Sequence, residues 1–80
     1  MSSGKPVTLR QMRSGDKGKI IEVQGGPGMV RRLDALGIRP GKKIIKISSM
    51  LMRGPITVQV GHTRVAIGFG MANRIIVETE

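Results

Sequence analysis

Cysteine, tryptophan and tyrosine are missing from this 80-residue chain, and Phe69 is its lone aromatic side chain. Without cysteine, neither a disulfide nor a thiolate zinc site can supplement the core. With one ring, the chain has no stacking platform of the kind that proteins reading single-stranded nucleic acid lay bases on. Carboxylates are scarce: Asp16, Glu22, Asp34, Glu78 and Glu80 are scattered, and His62 is the only histidine. Such a set builds no tight transition-metal site within one chain, and no nucleophile stands beside a base. The reading is of a protein that is not an enzyme, with no catalytic residue, no metal ligand and no cofactor. Gly25-Gly26-Pro27-Gly28 precedes a helix but lacks the GxGxxG spacing and the Walker lysine, and Pro27 removes an amide donor. No apolar run approaches the roughly 20 residues of a membrane-spanning helix. Residues 1–6 are polar and lack the apolar stretch of a signal peptide, which points to the cytosol.

What the chain does hold is base and β-branched bulk. Fourteen Lys and Arg face five acids, a net charge of +9. Of 31 apolar residues 17 are Val or Ile, and 12 Gly and 4 Pro cut the chain into short pieces. Side chains stiff at χ1, in short turn-bounded runs, favour a pleated surface. The length holds one domain and excludes a Rossmann enzyme, a TIM barrel or a P-loop NTPase.

Residues 1–6 read as a flexible arm and 7–80 as the domain. Leu9 and Met12, three apart, suit a single turn plugged into the core. Strands are expected over 18–24, 42–48, 56–60, 63–67 and 74–78. In the first, Ile21 and Val23 are expected on one face, with Ile20 and Glu22 opposite; in the second, Ile45 and Ile47 lie opposite Ile44 and Lys46. Met29, Val30, Leu33 and Leu36 form one stripe of a short helix between the first two strands. Gly37 and Ile38 follow as a Schellman stop, and Arg39-Pro40-Gly41 as a turn. Gly61-His62 suits a two-residue hairpin, with His62 at its exposed tip. Residues 68–73 read as a short turn, with one helical turn near Ala72. Five strands and one helix describe a mainly β, small SH3-like barrel.

In order and spacing, Leu9-x-x-Met12-x-x-Gly15-x-x-Gly18-x-Ile20, Arg32-Leu33-x-x-Leu36-Gly37-Ile38-x-Pro40-Gly41, Gly54-Pro55, Val58-x-Val60, Val65-Ala66-Ile67 and Ala72-x-x-Ile75-x-Val77 resemble the ferrous iron transport protein A (FeoA) family. The Arg-Leu-x-x-Leu-Gly-Ile-x-Pro-Gly element is the most specific, and the likeness covers about residues 7–78. It implies a stand-alone SH3-like cytoplasmic accessory or regulator of ferrous iron uptake. The implied partner is the cytosolic G domain, or adjoining segments, of the FeoB permease, which holds the protein at the inner face of the membrane. Transition-metal binding is implied by the resemblance alone. Phe69 departs from the polar residue expected in its turn and, if exposed, belongs to a contact surface.

Segment 31–53 alone carries +6, against +4 for 1–19, −1 for 20–30 and none for 54–80. Arg31, Arg32, Arg39, Lys42, Lys43, Lys46 and Arg53, with Met50, Leu51 and Met52 in a loop, are therefore the candidate partner-binding residues. A mixed basic and adaptable apolar patch suits an acidic protein or an anionic leaflet. A second reading comes from Gly15-x-x-Gly18-x-Ile20-x-x-Val23, which fits the KOW pattern of RNA-binding SH3-like barrels; the absent rings and the shortness of that pattern disfavour nucleic acid. Arg31, Arg53 and Arg64 are chemically able to serve the permease GTPase as an arginine finger. Open sheet edges also leave self-association available.

Overall fold

Short β-branched runs pair into one antiparallel sheet in the computed structural model, which describes residues 4–49 and 54–80. The strands are β1 (Pro6–Thr8), β2 (Lys17–Val23), β3 (Lys43–Ser49), β4 (Ile56–Val60), β5 (Thr63–Ile67) and β6 (Ile75–Thr79), in the order β1-β6-β2-β3-β4-β5. Helix α1 (Pro27–Ala35) joins β2 to β3, and the four-residue α2 (Phe69–Ala72) precedes β6. No helix among the described residues is long and apolar enough to cross a membrane.

The architecture is the expected mainly β barrel with six strands rather than five. The additional one is β1: Pro6, assigned to the arm, pairs with Glu78, and Val7 with Val77. The helix consequently lies between the second and third strands. Three residues starting with proline give no alternation, so the pairing is decided by β6 and not by local pattern. A 3-10 turn over Leu9–Gln11 follows, capped reciprocally by Thr8 and Gln11, and it buries Leu9 and Met12 as the spacing predicts.

A single core joins Leu9 and Met12 to Ile20, Leu33, Ile38, Ile44, Ile56, Val58, Val60, Ile67, Ala72, Ile75 and Val77. Gly18 is buried beneath β6, where an added Cβ would meet the Val77 side chain and lie 2.6 Å from the Glu78 carbonyl oxygen. Only glycine allows so close a crossing.

Two bulges interrupt the alternation of β2 and β3 after it has placed Ile20, Ile44 and Lys46 inward. In β2, Ile20 opposes Val77 and Glu22 opposes Ile76, so Ile21 is the extra residue. Ile20 is buried and Ile21 is 43% exposed, the reverse of the expected facing. In β3 a second shift lies between Lys46 and Ser48. Ile44 and Lys46 face the core there, while Ile45 and Ile47 on the opposite face are half-buried, the two-sided division that the alternation predicts.

α1 starts with Pro27 in its first turn and stops as expected. Gly37, at φ +89°, donates to the Asp34 carbonyl at 2.9 Å, and Ile38 donates to the Leu33 carbonyl at 2.9 Å. That is the Schellman pair, and Leu33 and Ile38 are both buried beside it. The chain then turns at Pro40-Gly41, where Lys42 N–H reaches the Arg39 carbonyl at 3.2 Å. This turn is tied to β2, because Gly41 donates to the Ile20 carbonyl and Ile20 to that of Lys42, each at 2.8 Å.

Candidate functional site

The Schellman stop and the Pro40-Gly41 turn bring the end of α1 against the β4–β5 hairpin. Between them lies an open groove of about 430 Å³. Ala35, Leu36 and Gly37 form one side, Val60, Gly61 and Thr63 the other, and Arg39, Lys42 and Lys43 close it. Three of the candidate partner-binding residues thus converge on one concave surface.

The remaining candidates fare differently. Arg31 and Arg32 are exposed on α1. Met50, Leu51, Met52 and Arg53 lie outside the described residues. Lys46 is not on the surface: only 4% of it is exposed. Its Nζ donates to the carbonyl of Arg10 at 3.1 Å and to that of Met12. Its own backbone accepts from Gly15 at 2.6 Å and donates to the Asp16 carbonyl at 2.9 Å. Burial pushes the Lys46 amine below its ordinary pKa, and the negative charge of Asp16 opposes that shift. Lys46 therefore pins the 3-10 turn and the loop before β2 onto β3, and it leaves the candidate partner surface for that reason.

Leu36 is a groove residue that the sequence pattern hides. Counted in the helical stripe, it is instead 39% exposed, because the helix ends at Ala35 and the chain swings away through Gly37. The only signal was its position directly before the C′ glycine. Val60, Gly61 and Thr63 reach the groove through the hairpin fold, which no local pattern reveals. Arg39 is held by Asp34 at 3.4 Å, both about half exposed. Lys42 and Lys43 have no carboxylate within ion-pair distance among the described residues.

Elsewhere, His62 is exposed at the hairpin tip as expected. Phe69 is half-buried, with the Arg10 guanidinium 4.8 Å from its ring centre, a cation–π contact that covers one face. No three His, Asp or Glu side chains gather in a metal-binding group among the described residues. The glycines of the KOW-like spacing have structural employment: Gly15 bonds β3 and Gly18 passes under β6.

Comparison with known proteins agrees with this fold. The FeoA domain family profile matches residues 7–79. The protein of Methanocaldococcus jannaschii assigned as Fe(2+) transport protein A is 30% identical over 66 residues, which span 82% of this chain and 78% of that one. A crystal structure of an iron uptake regulatory protein, FeoA, superposes with a TM-score of 0.89 at 38% identity, covering 95% of this chain and all of the other. The zinc complex of FeoA from Stenotrophomonas maltophilia superposes with a TM-score of 0.78 at 28% identity, covering 92% and 95% of the two chains. That relative is described as a procaryotic SH3 domain protein and a candidate bacterial ferrous iron transport activating factor.

Proposed function

Because the chain belongs to the FeoA domain family, we propose that it is a cytoplasmic accessory of ferrous iron uptake that binds the cytosolic part of a FeoB-type GTPase-permease. The groove between α1 and the β4–β5 hairpin is the observation that carries this reading. It offers an exposed apolar side chain, Leu36, between three cations on a backbone held by the Schellman stop. An apolar anchor ringed by charge is how protein interfaces obtain affinity at the centre and orientation at the rim. The protein acts by occupying its partner rather than by chemistry of its own.

Lys42 and Lys43 meet acidic groups of the permease, and Arg31 and Arg32 on the adjoining helix steer the approach. Titration calorimetry with the permease's cytosolic portion tests this. Leu36→Asp, and separately Lys42→Glu with Lys43→Glu, should each weaken binding about tenfold or more. Arg31→Glu with Arg32→Glu should mainly slow association and make it less sensitive to salt, because less attraction is left to screen. Unchanged affinity in both groove variants, with the fold intact, overturns the assignment.

A further inference from the structure

The outer side of the sheet carries charge of which the groove uses only Lys43. Lys19 on β2 stands directly opposite Lys43 on β3, and both are exposed. Like charges facing each other across a strand pair are destabilising. One step along, Lys17 pairs with Ile45, Ile45 with Gln59, and Gln59 with Arg64, all in one row. Paired residues share a face, so the register gathers Lys17, Lys19, Lys43 and Arg64 from three separate strands, β2, β3 and β5. Lys17, Lys19 and Lys43 have no ion-pair partner among the described residues, and Arg64 holds only Gln59 at 3.2 Å. By the same rule Glu78, the partner of Lys19 on β6, shares this face, and Glu80 donates its N–H to the Lys17 carbonyl, so the cations outnumber the acids there without being free of them. At the end of the Lys17–Lys19 line, Ile21 continues the alternation and faces outward, 43% exposed.

We propose that this sheet face is a docking surface for an anionic lipid bilayer, with Lys17, Lys19, Lys43 and Arg64 meeting headgroup phosphates and Ile21 entering the interfacial layer. Charge complementarity calls for a polyanion, and three further features select a lipid surface among polyanions. The cations are mainly lysines, compact charges on flexible stems, whereas protein interfaces favour Arg and aromatic anchors and are depleted in Lys. They are spread over a sheet face rather than gathered in a pocket, which suits mobile headgroups. No ring lies among them to stack a base. The proposal shares Lys43 with the groove but otherwise uses a different face and needs no protein partner, and its tests fall on Lys17 and Lys19, which the groove does not use.

Co-sedimentation with vesicles decides it, using phosphatidylcholine alone and phosphatidylcholine with one-third phosphatidylglycerol. The protein should bind the anionic vesicles at low ionic strength, leave the neutral ones free, and be released near 1 M salt, where the screening length falls to about 3 Å. Each basic side chain at such a surface is worth about fivefold in partitioning, so Lys19→Gln should lose about fivefold and Lys17→Gln with Lys19→Gln about twenty-five-fold. Lys19→Arg should retain binding. Arg74→Gln removes the same charge outside this face and should change partitioning less than about twofold. No binding to anionic vesicles at low salt overturns the proposal. Equal losses for Lys19→Gln and Arg74→Gln also overturn it, because net charge alone would then account for the adsorption. Tighter binding to a single-stranded RNA oligomer than to the vesicles would reassign the face to nucleic acid.

Discussion

Taking a lysine amine out of water is costly, and Lys46 recovers part of that cost from two carbonyls of the turn that it anchors. Replacing it with Met keeps most of the volume but leaves those carbonyls of Arg10 and Met12 without their donor, which should cost about 2 kcal/mol or more. The pH dependence has a definite sign. With its folded pKa below the ordinary 10.5, the unfolded chain holds the proton more tightly across the interval between the two values. Stability contributed through this group therefore rises as pH rises through that interval. The gap in urea-unfolding free energy between the natural chain and Lys46→Met should widen from neutral pH toward 10.5; a gap that stays constant would show that Lys46 keeps an unshifted pKa.

At the scale of elements, the turn chemistry decides where the groove opens. Gly37 holds a left-handed conformation at φ +89°, and an added Cβ would meet only Val60 Cγ1 at 3.5 Å, an ordinary contact. Gly37→Ala should therefore cost about 1–2 kcal/mol from backbone conformation alone, read as a lowered midpoint in thermal unfolding with unchanged secondary structure. A loss of helix signal would show instead that the stop is needed to form α1. This motif was legible in the sequence because its rules are local: a stripe, a glycine, an apolar residue, then Pro-Gly. The hairpin at Gly61-His62 was legible for the same reason. Facing in β2 and β3 was not, since both strands present apolar residues on both sides, and the bulges at Ile21 and Ile47 are chosen by their partners. Lys46 looked like surface charge because its acceptors come from residues far earlier in the chain. The basic sheet face was equally hidden, being a product of register.

For the molecule as a whole, the charge that suggested nucleic acid is distributed over a basic groove and a basic sheet face. A net charge of +9 is set against a single ion pair among the described residues, Arg39–Asp34, which is half exposed. Such a surface repels itself, with Lys19 and Lys43 directly opposed as one example. The melting temperature should accordingly rise when salt is added from very low ionic strength to about 0.15 M, where screening acts over about 8 Å. A melting temperature that falls over this range would show that attractive pairs outweigh the repulsion.

The strand order has a consequence for how the protein is made. β6 lies between β1 and β2, so the two earliest strands are both completed by the last one synthesised. A ribosome delivers Ile20 long before Val77, the side chain across from it in the register. Until Ile75–Thr79 leaves the exit tunnel, β1 has no neighbour and β2 has only β3. Folding of this domain is thus held back until translation has passed β6, and the unfinished chain is the form that most needs a chaperone.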